Sequence, residues 1–175
     1  MLDSGSRRSL ITESCWKKLG LKGRPTVHRI RGINNLVAET SFQEVRLEFT
    51  PHFDSEIFKV DALIVNRIAS NLPNCRVNLQ KTCYPHLERL KLADPEFYIS
   101  SSVEFLIGAD LYTDLIIGQS IKGGMGSRSA IDTRLGWILS GMVYAGSNSR
   151  IQKSVIGHVQ VDFDLKGFWD LESSE

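Results

Sequence analysis

Two periodicities divide the chain. Over residues 27–65 apolar side chains recur at every second position, most cleanly where Val45, Leu47 and Phe49 alternate with Glu44, Arg46 and Glu48. A period of two places one set of side chains on a buried face and the other in water, so this stretch predicts half-buried strands. Gly32-Ile33-Asn34-Asn35 interrupts it with residues that tolerate positive φ, the signature of a hairpin tip. A second turn is expected over 50–55 and a strand over 57–65. Helical spacing is confined to short pieces. Cys15, Trp16 and Leu19 share one face of residues 12–19 and are expected to meet the core. That piece has a full set of end signals, with Thr12 as N-cap, Glu13 in the first turn, Lys17 and Lys18 in the last, and Gly20 beyond.

The rest of the chain is read with the same two templates. Ser9-Leu10-Ile11 is a short apolar stretch, and Phe105-Leu106-Ile107, closed by Gly108, is a buried strand candidate. Residues 109–116 predict a short helix. Residues 66–95 are irregular, with one helical turn opened by Pro85 that puts Leu87 and Leu90 on one face. Residues 122–129 carry three glycines and two serines and read as a loop. Residues 131–143 read as two short strands broken at Gly136, 145–154 as a polar linker, and 155–163 as a further alternating strand. The sum is a mainly β domain with short helices, in which Trp16, Phe105 and Trp137 belong to the core.

Composition narrows the partners. A chain of 175 residues, 42% hydrophobic and 23% charged, can bury one core. Its formal net charge of +1 comes from interleaved acids and bases, which leaves no electrostatic footprint for nucleic acid or an anionic membrane. No apolar run approaches the roughly 18 residues needed to span a bilayer, and no basic, apolar leader precedes Asp3. Cys15, Cys75 and Cys83 cannot all pair and form no Cys-x-x-Cys, which suits a reducing compartment. Cys83 and His86 have a ligand-like spacing, with Cys75 upstream, but no fourth ligand stands near, so no metal or other cofactor is expected. His28, His52, His86 and His158 lie in no nucleophile pattern with a Ser or Cys, which argues against a Ser or Cys hydrolase.

Candidate chemistry lies at the start of the chain. Peptide hydrolysis by carboxylates needs two of them in one site, because like charges about 3 Å apart keep one proton between them. One then takes a proton from water while the other donates to the carbonyl oxygen. Each acid needs a tight turn followed by a small residue that admits substrate main chain. Leu2-Asp3-Ser4-Gly5-Ser6 meets those needs, with Asp3 as the acid, the Ser4 hydroxyl as a brace and Gly5 leaving room. An Asp-Ser/Thr-Gly triplet arises by chance in roughly one chain in fifteen of this length. Alone, it competes with a plain surface turn closed by an Asx hydrogen bond.

The order of the other motifs is more specific. Asp3-Ser4-Gly5, Ser9-Leu10-Ile11, Gly32-Ile33-Asn34-Asn35 and Leu106-Ile107-Gly108-Ala109-Asp110-Leu111 follow one another as the parts of a retropepsin-like domain do. More narrowly, Leu92-Ala93-Asp94-Pro95, residues 105–111 and Leu135-Gly136-Trp137-Ile138-Leu139-Ser140-Gly141 resemble the peptidase domain of BEL/Pao-type retrotransposon polyproteins, over residues 2–142. Phe168-Trp169-Asp170-Leu171-Glu172 resembles the connector that leads into the reverse transcriptase of such polyproteins. The resemblance implies a retropepsin-like closed β-barrel, the acid protease fold, over 1–143, then a linker and the start of the connector over 144–175. It implies an aspartic endopeptidase that processes its own polyprotein, in the cytoplasm or in virus-like particles.

The same resemblance assigns residues. Asp3, Ser4 and Gly5 become catalytic, and Ser6, Arg7, Arg8, Gly32, Ile33 and Asn34 meet the polypeptide substrate, the two arginines favouring acidic side chains. Leu106, Ile107, Gly108 and Asp110 support the site, Asp110 through an ion pair to Arg7 or Arg8. This chain departs from the family in having Asn34 and Asn35 where the flap usually has Gly, and Ser4 in place of the commoner Thr. It has no second Asp-Ser/Thr-Gly. In Asp132-Thr133-Arg134, the nearest match, Arg134 obstructs the turn, and Asp132 is read as structural. The second catalytic Asp is therefore expected from another copy, in an isologous homodimer with Asp3 on the two-fold axis. The motif starts two residues into the chain, so its incoming strand is expected to be truncated. That favours the rival reading, a catalytically inactive transposon-derived relic or peptide-binding fragment of the same fold. A host peptidase of the ubiquitin-shuttle type lacks the signatures at 92–95 and 136–137.

Overall fold

Thr12 ends one element and starts the next. In this computed structural model, which describes residues 1–32, 37–73, 89–123, 128–143 and 154–155, strand β1 (Leu10–Thr12) runs directly into helix α1 (Glu13–Leu19). The Thr12 hydroxyl accepts from Cys15 N at 3.3 Å. Gly20 closes the helix in the left-handed region at φ 64°, its N–H donating to Lys17 O. Cys15 and Trp16 pack half-buried against the core, as their spacing predicts. Leu19 does not, being 54% exposed. It lies in the last turn of a seven-residue helix, where Gly20 already turns the chain away.

The period-two region forms β2 (Arg24–Arg31), β3 (Val37–Phe49) and β4 (Phe58–Val65). Along β3, Val45 and Leu47 are buried and Phe49 packs against the core, while Arg46 and Glu48 face solvent. Asp54 closes the turn between β3 and β4 by accepting from Ser55 N and Glu56 N. With β5 (Phe105–Leu106) these strands form a five-stranded sheet in the order β2-β3-β4-β1-β5. β1 lies parallel to β4, with Leu10 opposite Leu63, and antiparallel to β5, with Leu10 opposite Leu106. Ile11, Val45, Leu47, Val60, Ala62 and Ile107 are among the buried residues of its core. Phe49 adds ring contacts to Phe58 and Phe105 at 5.7 and 5.4 Å between centroids, within the usual range for aromatic pairs.

Beyond Gly108 come α2 (Ala109–Leu115), β6 (Ile116–Ile121), β7 (Ser129–Thr133), β8 (Ile138–Ser140), β9 (Met142–Val143) and β10 (Ser154–Val155). β6, β7 and β8 make a three-stranded antiparallel sheet, and β9 pairs with β10. Leu135 and Ile138 pack this part of the chain on the core of the first sheet. The fold is thus mainly β with two short helices among the described residues. The expected closed barrel is not found there. β2 ends one side of the five-stranded sheet, the other side ends at β5 and residues 1–3, and no strand ladder joins it to β6-β7-β8. Among the described residues, side chains rather than a strand ladder bring the sheets together.

One further expectation changes. The helix predicted over 109–116 stops at Leu115, and β6 continues from it, with Gly118 at φ 100°. The hairpin-tip residues Ile33, Asn34 and Asn35 lie outside the described residues. So do Cys75, Cys83 and His86, the helical turn at Pro85, and nearly all of the chain beyond 143, including the linker over 145–154, the strand to 163 and the segment 168–172. No helix among the described residues is long and apolar enough to cross a membrane.

Gly136 turns the chain between β7 and β8. Its φ is 104°, and a Cβ there would stand 2.8 Å from Lys91 O and from the Phe53 ring. Trp137 N donates to the same Lys91 carbonyl at 2.9 Å, which fixes the backbone in place. Gly136→Ala is therefore expected to destabilise the protein by about 2–4 kcal/mol, read as a lowered urea midpoint. An unchanged midpoint would contradict this packing.

Candidate active site

Leu2 is buried in the core and draws the first residues of the chain alongside residues 105–107. Met1 N donates to Phe105 O at 3.0 Å, Ile107 N to Met1 O at 2.8 Å and Asp3 N to Ile107 O at 2.9 Å. Asp3 therefore emerges from a paired segment straight into a turn. Its Oδ1 accepts from Gly5 N at 2.9 Å, an Asx turn. Its Oδ2 has no partner among the described residues. Asp3 is half-buried, while Ser4 and Gly5 are exposed.

The bracing hydroxyl is not the expected one. Ser4 makes no hydrogen bond among the described residues, whereas Ser6 Oγ donates to Arg8 O at 2.8 Å. Ser6 O accepts from Ala109 N at 2.7 Å. The far end of the turn is held by Ser9, which is fully buried. Ser9 N donates to Asp110 Oδ2 at 2.9 Å, Ser9 Oγ donates to Asp110 Oδ1 at 2.7 Å, and Gly108 N donates to Ser9 Oγ at 3.1 Å. A Cβ on Gly108 would lie 2.6 Å from Arg8 C and O and 2.8 Å from Ser6 O. The turn thus rests on Gly108 at a distance that only glycine permits.

Asp110 takes Arg8 as its ion-pair partner, Arg8 Nε standing 3.6 Å from Oδ2. Arg8 Nη2 also reaches Glu44 Oε2 at 3.2 Å. The network continues through Arg24, which meets Glu44 at 3.2 Å and Asp61 at 2.9 Å, and Arg46, which meets Asp61 at 2.9 Å. Hydrogen bonds from Arg46 hold the Asp61 carboxyl below its usual range, against a smaller opposing effect of burial. A surface depression of about 420 Å³ lies over this network, lined by Arg8, Arg46, Lys59, Val60, Asp61 and Asp110. Arg7 is exposed and has no ion pair among the described residues.

Among the expected site residues, Asp3, Ser6, Arg8, Ile107, Gly108 and Asp110 are therefore brought together. Leu106, buried at 3%, pairs with Leu10 and fixes the strand beneath them. Gly32 is exposed, and no hydrogen bond or ion pair joins it to the turn among the described residues. Sequence reasoning passed over Ser9 and Glu44. Ser9 left a trace, a small polar residue in an apolar run; Glu44 looked like any outward member of an alternating strand.

The Asp132-Thr133-Arg134 segment has a different architecture. Thr133 Oγ1 accepts from Leu135 N at 3.2 Å, and Arg134 pairs with Glu56 and lies 4.9 Å from the Phe58 ring centre. A groove of about 660 Å³ between the sheets is lined by residues that include Leu2, Phe49, Phe105, Ile107, Leu135 and Trp137. Asp3, Ser4 and Gly5 do not line it. No group of three or more His, Cys, Asp or Glu side chains among the described residues is arranged to hold a metal.

Chemically, Asp3 presents a carboxylate with one oxygen fixed and the other open, a geometry able to take a proton from water. No hydrogen bond joins it to a second carboxylate among the described residues. Ser9→Ala would leave Gly108 N and Asp110 Oδ1 short of a partner, while Ser9 N still donates to Asp110 Oδ2, and is expected to cost about 1–3 kcal/mol in urea unfolding. A neutral Ser9→Ala would show that the turn is held by something else. Because the Asp61 carboxyl is depressed, the stability it gives is present above its ordinary value of 3.8 and lost as pH falls through the lower folded value. Asp61→Asn is accordingly expected to flatten the acid limb of stability below pH 3.8. An unaltered acid limb would contradict the pairing.

No protein-family model, curated protein or solved structure matches this chain.

Proposed function

We propose that this chain is one half of a retropepsin-like aspartic endopeptidase that acts on a polypeptide, its own polyprotein, as a homodimer. The observation that carries the reading is the turn at Asp3, pinned at both ends and in the middle to residues 107–110 with one carboxylate oxygen left open. The ordered likeness to BEL/Pao-type peptidase domains supports it. The assignment of the acid protease fold belongs to this proposal and rests on the joining of the Asp3 turn to residues 106–111, not on closure of a barrel.

In the proposed reaction two copies of Asp3 share one proton. The ionised carboxylate takes a proton from a water molecule, whose oxygen forms a bond to the scissile carbonyl carbon. The partner subunit's Asp3, protonated, donates to the carbonyl oxygen. The tetrahedral intermediate then breaks its C–N bond, the amine leaving with the proton held by the first Asp3 while a hydroxyl of the intermediate returns its proton to the partner subunit's Asp3, which leaves a carboxyl product and restores the shared proton. No metal or organic cofactor has a step in this scheme. The rival, a non-catalytic relic that binds peptides, is favoured by one observation: the large apolar groove does not reach Asp3.

Asp3→Asn keeps the Oδ1 acceptor for Gly5 N, so the fold should survive it, with stability changed by about 0.5 kcal/mol or less. Cleavage of a polypeptide substrate by the wild-type chain, slowed by a pepstatin-like inhibitor, is expected to disappear in this variant. Cleavage that persists in Asp3→Asn would overturn the proposal.

A further inference from the structure

The ladder between β3 and β4 ends at Glu44, and beyond it the β2–β3 hairpin meets the sheet through side chains, Ser41 Oγ donating to Ile64 O at 2.7 Å and Asn66 N to Glu39 Oε1 at 2.9 Å. β3 pairs with β4 from Glu44 to Phe49, and the part of β3 before Glu44 pairs in ladder with β2 alone. A two-stranded ribbon in water is marginally stable, so its orientation depends on the side-chain bonds that hold it, at its base above all. Glu44 sits at that base in both ladders, opposite Arg24 on one side and Leu63 on the other.

Its two carboxylate oxygens go in different directions. Oε1 lies 3.2 Å from Arg24 Nη2, at the first residue of β2. Oε2 lies 3.2 Å from Arg8 Nη2, at the end of the turn that carries Asp3. The backbone of Arg8 is itself held by Ser6 Oγ and packed on Gly108. Of the neighbouring acids, Asp110 reaches the turn but not the hairpin, and Asp61 holds Arg24 and Arg46 with its carboxylate while only its backbone carbonyl accepts from Arg8 Nη2, at 3.4 Å; Glu44 joins turn and hairpin through one carboxylate. At 22% side-chain exposure, Glu44 is shielded enough for its hydrogen-bonded ion pair with Arg8 and its second ion pair with Arg24 to matter beyond an isolated surface pair.

We infer that Glu44 is a positioning residue, whose single carboxylate ties the base of the β2–β3 hairpin to the Asp3 turn so that the two hold a fixed relation. As a statement about catalysis this rests on the peptidase reading, in which hairpin and turn meet the same substrate. As a statement about coupling it stands on the geometry.

The test is hydrogen exchange followed by mass spectrometry on the full chain. Glu44→Gln keeps the shape and removes the charge. It is expected to speed amide exchange about three- to fivefold in both residues 4–9 and residues 24–31, the size of effect a partly exposed pair supplies, while 129–133 stays unchanged. Arg24→Gln, more exposed and safer for folding, should also speed exchange in 4–9 when Glu44 is present, and have no further effect there in Glu44→Gln. A response confined to one segment, or an Arg24→Gln effect on the turn that persists without Glu44, would overturn the link. In peptide cleavage, Glu44→Gln should lower kcat about tenfold with KM within about twofold. A loss seen only in KM would make Glu44 a substrate contact and contradict the positioning role. If exchange couples as expected while the wild-type chain cleaves nothing, the link stands and the peptidase reading falls; cleavage without coupling gives the reverse.

Discussion

The close approach of Gly108 to the turn at residues 6–8 is the constraint on which the rest of the site depends. With no side chain at Gly108, Ser6 O can reach Ala109 N and Ser9 can insert its hydroxyl between Gly108 N and Asp110. Ser9 O then accepts from Leu63 N at 2.9 Å, which joins the turn to β4. One small residue thereby lets a polar segment be buried with its hydrogen bonds made, the condition for burying polar groups at tolerable cost. Asp3 inherits its position from that arrangement, since its own N–H is held by Ile107 at the other end of the same run.

Electrostatics extends the constraint outward. Asp110 and Glu44 share Arg8, and Arg24 and Arg46 share Asp61, so arginines and carboxylates alternate from α2 across the turn to β2, β3 and β4. Each pair taken singly is a partly exposed ion pair of small worth. Their value lies in geometry: bonds that converge on shared groups restrict where the turn and the hairpin base can sit. The apolar groove between the sheets belongs to a different part of the molecule, touching Leu2 but not the acid beside it.

Much of the fold is legible in the sequence where the controlling interactions are local. The cap at Thr12, the left-handed Gly20 and the alternation of Val45, Leu47 and Phe49 are settled by neighbours within a few residues. β6 was missed because Ile116-Ile117 prolongs the apolar pattern of α2, and only pairing with β7 makes it a strand. Closure of a barrel is a property of sheet edges far apart in sequence, and no local pattern reports it. The same divide runs through the site. Asp3-Ser4-Gly5 can be read directly, but Ser9 acts on a residue 101 positions away and Arg8 on one 36 positions away, so the roles of Ser9 and Glu44 emerge only once the chain is folded.

The central claim is that two copies of Asp3 form one site. Its most direct test mixes wild-type chain with increasing fractions of Asp3→Asn chain at constant total concentration, after the subunits have exchanged, and measures peptide cleavage. If both carboxylates are required, only wild-type pairs are active, and the rate falls as the square of the wild-type fraction. A rate that falls in simple proportion to the wild-type fraction would mean that each chain carries its own complete site, and would contradict the account.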